Sequence, residues 1–226
     1  PDTVKPSTLQ DAKSFLQDVL EILSLINRKL SLGSINNDKM LPEAEINLIN
    51  EILDNDEEFK NWFNELILSK INNNIDNNKL LIDFKWLPTF KEEHSNIEII
   101  TFCKIFNQPL GNSLDNLTNS QILTFGSDFN QPLDNSLDKL VNLHTLTFGK
   151  YFREPLGNSL DNLTNLQTLI FGRYFDQPLG NSLDKLTNLQ VLTFDHYFNQ
   201  PLDNSLDKLT NLQALAFGYE FNQPLD

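Results

Sequence analysis

The sequence predicts an α/β chain in which a small α-helical N-terminal region precedes a solenoid with a parallel β-sheet on its concave face. The first observation is a repeat: a unit close to FNQPLGNSLDNLTNLQTLTFG recurs every 23 residues, as from Phe106 to Phe129. Such a period is typical of solenoids, whose coils cover one another's apolar faces. The second observation is that residues 1–79 lack this unit and place apolar residues at helical spacing instead.

The N-terminal region contains signals for three helices. A first helix is predicted from the capping-box pair Ser7 and Gln10 to a stop at Gly33. A second begins at Pro42, a residue type favoured in the first turn. A third begins at Asp56, where a run of acidic residues suits the helix dipole. We therefore predict a helical domain or cap over residues 1–79, which ends in an asparagine-rich loop.

The solenoid is predicted over residues 80–226. It comprises five full units between a worn N-terminal unit and a truncated C-terminal unit. Residues 80–84 are predicted to form a strand, and residues 96–102 already match the repeat. A terminal coil is expected to differ in sequence, because one of its faces has no neighbouring coil.

Within each unit, the segment LxxLxF predicts a strand. Leu166, Leu169 and Phe171 are expected to point into the core. Gln167, Thr168 and Ile170 are expected to face the concave side. The second phenylalanine of the unit is expected to form a core column: Phe106, Phe129, Phe152, Phe175, Phe198 and Phe221. One asparagine per unit is expected to be buried and to bond unpaired backbone groups: Asn112, Asn135, Asn158, Asn181 and Asn204.

The unit FNQPL…LxxLxFG resembles the FNIP repeat, a relative of the leucine-rich repeat found in slime moulds and giant DNA viruses. Its LGNSLDNLTNLQTL stretch is also similar to plant-type leucine-rich repeats. The resemblance covers about residues 96–226, and it implies a leucine-rich-repeat-like scaffold that binds other proteins. The chain departs from the repeat at Arg153-Glu154, at Asp176 and at Ser120, which stands where other units have a core leucine.

Charge excludes two classes of partner. The chain has 31 acidic and 17 basic residues, a net charge of −14 that is divided equally between residues 1–96 and 97–226. Binding to nucleic acid or to an anionic membrane is therefore not expected. The single cysteine, Cys103, precludes an internal disulfide. We expect an intracellular protein, in the cytoplasm, or in the host cytoplasm if the source is viral.

No pattern in the sequence predicts catalysis, a cofactor or a metal site. Of the three histidines, His94, His144 and His196, the latter two occupy different repeat positions, and solvated side chains are the expected interpretation for all three. One aspartate column could supply a calcium site or simply turn residues, and turns are favoured because a calcium ion needs several oxygens. That column comprises Asp115, Asp138, Asp161, Asp184 and Asp207. The sequence therefore predicts a protein that is not an enzyme.

Columns that vary between units are the candidates for partner binding. Two adjacent columns at the C-terminal edge of the strands carry basic and aromatic residues: Lys150, Tyr151, Arg173, Tyr174, His196 and Tyr197. A column on the concave face contributes His144, Gln167 and Gln190. Tyrosine and arginine are favoured anchors of interfaces, so we predict that a protein partner binds here. The alternative is repeat drift, with the tyrosines packed on neighbouring coils.

Three other functions stay open. The segment that begins Leu41-Pro42-Glu43 resembles the start of an F-box. This resemblance implies a substrate receptor of a ubiquitin ligase whose helices dock a Skp1-type adaptor while the repeats recruit the substrate. A second alternative is self-association through open solenoid edges. A third is an enzyme built on the N-terminal helices, for which no residue constellation is present.

Overall fold

The computed structural model describes residues 61, 62, 64, 65, 68, 78–82 and 87–224. Its main element is a parallel sheet of seven strands in sequential order. The strands are β1 Lys79–Ile82, β2 Ile99–Phe102, β3 Ile122–Thr124, β4 Thr145–Thr147, β5 Thr168–Ile170, β6 Val191–Thr193 and β7 Ala214–Ala216. A short 3-10 helix, Glu92–His94, lies between β1 and β2. The predicted parallel sheet is confirmed, while its concave curvature stays a prediction.

The chain divides into two compact units, residues 1–67 and 68–226. The first and second predicted helices lie outside the described residues. Four residues within the predicted third helix, which runs from about Asp56 through Ile67, are described and are helical: Asn61, Trp62, Asn64 and Glu65. Leu68, one residue further on, is helical too. The domain boundary between residues 79 and 80 stays a prediction.

Strand register follows the sequence period. From β2 onward each strand residue pairs with the residue 23 positions later, as Leu123 does with Leu146. The first step is shorter, because Lys79 pairs with Ile99, only 20 positions on. The predicted strand at residues 80–84 is therefore present as β1, at a spacing three residues below the period (23 − 20).

The core consists of apolar columns that run through the stacked coils. Leu166, Leu169 and Phe171 are buried as predicted, with at most 1% of each exposed. The predicted phenylalanine column is confirmed: neighbouring rings stack at 6.1 Å, as between Phe152 and Phe175. A second column stands beside it, and Phe171 in that column lies 4.0 Å from Phe175. Each coil therefore contributes two rings to a continuous double stack.

The predicted burial of one asparagine column is wrong. All five members are exposed: Asn112, Asn135, Asn158, Asn181 and Asn204. The buried polar column is the serine one position later, whose hydroxyl bonds a leucine carbonyl, as Ser159 Oγ does to Leu156 O at 2.6 Å. The physical reason is space, because the inner side of this tight turn admits a hydroxyl close to the backbone, while the larger amide turns outward.

Two other asparagine columns make side-chain bonds between coils. In the first, which we call the asparagine ladder, the side-chain carbonyl accepts a bond from the amide one coil further on. Asn107 Oδ1 accepts from Asn130 N at 2.9 Å, and Asn199 Oδ1 accepts from Asn222 N at 2.9 Å. In the second column, Asn165 Nδ2 donates to Val141 O at 2.9 Å. These bonds lie at the surface and satisfy backbone groups that the strands leave unpaired.

Two kinds of glycine set the path of each coil. Gly157 has a φ of +51°, and Asp134 and Asp203 adopt the same left-handed conformation in other coils. Gly149 instead allows two coils to approach closely, since a Cβ built there would lie 1.7 Å from Gly126 O in the preceding coil. Asp195 occupies the place of Gly149 two coils further on, and its carboxylate accepts a bond from His196 N at 2.7 Å.

Candidate partner-binding surface

The structure separates the predicted site residues into two groups. One group follows strands β4 to β6, and we call it the tyrosine ridge: Lys150, Tyr151, Arg173, Tyr174, His196 and Tyr197. The other group, His144, Gln167 and Gln190, precedes strands β4, β5 and β6. The two groups thus lie at opposite ends of the three-residue strands and do not form one cluster.

Backbone bonds hold the ridge in register. Tyr174 N donates to Lys150 O at 3.0 Å, and Tyr197 N donates to Arg173 O at 3.1 Å. Each tyrosine therefore occupies the same place in its own coil. Because adjacent coils lie about 4.8 Å apart, equivalent rings come within stacking distance.

The three tyrosine rings form a continuous stack. Tyr151 and Tyr174 have centroids 5.3 Å apart with planes inclined by 7°, and Tyr174 and Tyr197 are 5.0 Å apart at 16°. Both faces of Tyr174 are consequently covered by other rings. Tyr151 and Tyr197 remain more than one third exposed, at 38% and 37%. The tyrosines thus pack on neighbouring coils, and the two outer ones are also partly exposed to water.

Three cations surround the central ring of the stack. Arg153 Cζ lies 4.8 Å from the centroid of Tyr174, Lys150 Nζ lies 5.8 Å from it and Arg173 Cζ lies 5.9 Å from it. Arg173 also lies 5.6 Å from the Tyr197 ring. We call Lys150, Arg153 and Arg173 the cation cluster. Cations at these distances are attracted by the negative faces of aromatic rings.

Arg153 belongs to this surface although it is not among the predicted site residues. In the sequence it is a departure from the repeat, since it replaces the asparagine of the ladder. Its backbone still donates to Asn130 Oδ1 at 2.7 Å, but a guanidinium has no acceptor to offer Asp176 in the next coil. The ladder resumes where Asp176 Oδ1 accepts from Asn199 N at 2.9 Å. The sequence signal that could have identified Arg153 is its position 21 residues before Tyr174, which is nearly one 23-residue period.

The cation cluster has no carboxylate partner within the described part of the chain. Among the ridge residues, His196 is the one near a carboxylate there, with Nε2 at 3.9 Å from Glu220 Oε1. In addition, Arg173 Nε is shielded from water and has no hydrogen-bond partner among the described residues. His196 is instead held by rings, stacked on Tyr219 at 5.6 Å and perpendicular to Tyr197 at 4.5 Å.

The outer face of the sheet adjoins the ridge and is uncharged over β4 to β6. Thr147, Ile170 and Thr193 form one column of half-exposed side chains across these strands. At the other strand end, His144 lies in a polar groove with Asn78, Asn96, Glu98, Asn119, Gln121 and Asn142. This groove spans the first coils, whereas the ridge spans later ones.

The described residues contain no group of three histidine, cysteine or carboxylate side chains that could hold a metal ion. Asp115 and its equivalents lie in turns, where the amide of Asp161 donates to Asn158 O at 3.1 Å. The expected solvation of every histidine is wrong for His94, which is 2% exposed and whose Nδ1 accepts from Lys91 N at 3.1 Å. It lies in the 3-10 helix, outside the repeats, so no column could indicate its surroundings.

No helix among the described residues has the length and apolar character to cross a membrane. The segment that resembles an F-box lies outside the described residues, so that resemblance stays a prediction.

Comparison with known proteins gives only a distant likeness. No family model matches the chain, and no curated protein matches it. Among solved structures, it is similar to an internalin from Listeria monocytogenes, with 16% identity and a TM-score of 0.45 over 65% of this chain. The match spans about half of the internalin, 48% of its length. The solenoid fold therefore rests on the strand pairing itself, and the FNIP resemblance stays a prediction.

Proposed function

We propose that the solenoid is a non-enzymatic scaffold that binds a partner protein through the tyrosine ridge and the adjoining outer face of the sheet. The observation that carries this proposal is the interruption of the asparagine ladder. At one coil, Arg153 and Glu154 replace the Asn-Gln pair that bonds neighbouring coils elsewhere, and the arginine lies on Tyr174 instead. The side-chain hydrogen bonds of the Asn-Gln pair are thus missing at the coil where the aromatic and cationic residues lie together.

The geometry of the ridge favours binding because the rings are already ordered. Stacking between neighbours fixes the tyrosine side chains before any partner arrives, so little conformational entropy is lost on association. Tyrosine edges offer both apolar carbon and a hydroxyl group, which is why tyrosine is enriched at interfaces.

The ridge is the anchor of the proposed interface and not the whole of it. Its three rings extend over two centroid steps of 5.3 and 5.0 Å. A stable interface buries about 800 Å² on each partner, which is more than three stacked ring edges supply. The column of Thr147, Ile170 and Thr193 is adjacent and uncharged, so we include it in the proposed interface.

The test is affinity capture from the source cell with the intact chain as bait. Replacing Arg173 and Tyr174 together by alanine is expected to weaken capture of specific partners by at least about tenfold, since each truncation removes an interface anchor. Lys185→Ala and Lys208→Ala, on exposed residues of another column, serve as matched controls. Undiminished capture by the ridge variant, with an unchanged circular dichroism melt, would refute the proposal.

Restoring the Asn-Gln pair of the ladder is expected to change stability and partner binding in opposite directions. The double variant Arg153→Asn, Glu154→Gln should raise the free energy of unfolding by about 1 kcal/mol, because it recreates surface hydrogen bonds between coils. The template is the pair in which Gln131 Nε2 donates to Asn107 Oδ1 at 3.0 Å. The same variant should capture less partner, because it removes the arginine that lies on the Tyr174 ring.

Urea denaturation measures the stability change of this double variant. Asn130→Ala, which removes the existing bond to Arg153 N, should change stability in the opposite direction. A destabilised double variant would contradict the role assigned to the ladder.

A further inference from the structure

We infer that the tyrosine ridge recognises carboxylates, so that the segment of the partner that contacts it is a short acidic stretch of polypeptide. This inference rests on the proposed function and adds the chemistry of the partner. It starts from the cation cluster, whose three members lie 4.8 to 5.9 Å from the ring of Tyr174.

The cation cluster is unusual in a chain of this composition. Residues 97–226 contain 7 basic and 14 acidic side chains, and three of those 7 bases lie on one ring. None of the three is paired with a carboxylate of the described residues, although acids outnumber bases two to one in this part of the chain. Unpaired cations that face water are available to an anion from outside.

The position of the cations against the rings suits them to bind a carboxylate. A guanidinium placed over an aromatic ring keeps its N–H edge free, and that edge matches the two oxygens of a carboxylate. Tyr151 and Tyr197, each more than one third exposed, carry hydroxyl groups that are further neutral donors on either side of the central ring.

The same geometry argues against nucleic acid as the anion. Single-stranded nucleic acid is bound by stacking its bases on free aromatic faces, together with many phosphate contacts. Both faces of Tyr174 are already occupied by Tyr151 and Tyr197. A long polyphosphate would also meet the net charge of −14, whereas a few carboxylates interact mainly with the cations within about 8 Å, the Debye length at physiological salt.

The boundaries of the ridge limit the length of the acidic stretch. In the column of Tyr151, Tyr174 and Tyr197, the residue one coil earlier is Asp128 and the residue one coil later is Glu220. These acids repel further carboxylates at both ends. Three coils at about 4.8 Å spacing accommodate roughly three to five extended residues, at about 3.3 Å per residue. A stretch with two or three carboxylates therefore fits.

The experiment titrates the intact, ¹⁵N-labelled protein with three probes: a capped hexaglutamate peptide, a capped hexalysine peptide and a 12-nucleotide oligothymidylate. Hexaglutamate should shift the amide signals of residues 150–153 and 173–174 and the Nε–H signals of the arginines. The double variant Arg153→Gln, Arg173→Gln should bind it at least about tenfold more weakly, since two charge-assisted contacts are lost. The matched control, Lys185→Gln with Lys208→Gln, should bind it as the parent chain does.

Either of two titration results would overturn the inference: hexaglutamate shifts that are the same in the arginine variant, or tighter binding of oligothymidylate at the ridge. Capture from the source cell separates this inference from the proposed function. If the arginine-to-glutamine variant captures the partner normally while the Arg173→Ala, Tyr174→Ala variant does not, the ridge binds a partner without reading carboxylates. If neither variant loses the partner, the proposed function itself is wrong.

Discussion

Replacing Phe152 by alanine is expected to lower the free energy of unfolding by about 3 to 5 kcal/mol, the range for a buried phenylalanine. Its ring is fully buried and stacks on Phe129 and Phe175 at 6.1 Å on either side, with Phe148 at 4.1 Å. Truncation opens a cavity in the middle of the double stack. Since each coil is held by its neighbours, the loss is expected to separate the coils on either side into two weaker blocks.

The matched control is Phe221→Ala, in the same column at the last described coil. Phe221 is half-exposed and stacks on Phe198 from one side only, with Phe217 beside it. Its replacement should cost less than half as much as that of Phe152. Thermal and urea denaturation of both variants measures the difference, and equal losses at the two positions would contradict a continuous stack.

Replacing Gly149 by alanine is expected to lower the free energy of unfolding by about 1 to 3 kcal/mol, as overpacking does. The new Cβ would lie 1.7 Å from Gly126 O, a backbone atom of the preceding coil that no side-chain rotation can move away. The effect should stop short of global unfolding, because Asp195 already carries a side chain at the equivalent position.

Gly157→Asp is the control for this prediction. Gly157 has open space around its Cα, and Asp134 and Asp203 hold the same left-handed conformation in other coils. Its replacement should cost less than about 1 kcal/mol, because aspartate tolerates this region better than most residues. Urea denaturation compares the two, and a costlier change at Gly157 would show that backbone conformation, not the approach of coils, governs these glycines.

Much of the fold could be predicted because the period fixes the contacts. Once 23 residues make one coil, Leu169 must lie beside Leu146 and Leu192, and the strands must run parallel. The asparagine columns that bond neighbouring coils could not be identified in this way. Each unit contains several asparagines at the same period, so repetition alone does not distinguish exposed Asn158 from Asn165, which bonds the preceding coil.

The sequence predicts most residues of the candidate surface but not Arg153. The variable columns predict that Tyr174 and Tyr197 lie side by side, and their rings are stacked in the structure. Arg153 was missed because its column is occupied by ladder asparagines elsewhere, so the change looked like a defect of the repeat. Contact between residues 153 and 174 depends on how the coil closes, and the sequence does not specify that closure.

The constant register between strands has a consequence for how such a chain can change over time. Because Ile122 pairs with Thr145 and Thr145 with Thr168 in the same way, removing or duplicating one whole unit leaves equivalent joints between the remaining coils. Copy number is therefore free to vary without redesign of the interior. The stacked tyrosines, by contrast, lie on three consecutive units, so an insertion between them would divide the motif while preserving the scaffold. The order of the units therefore matters for the tyrosine ridge, whereas the core requires only that each coil has an equivalent neighbour.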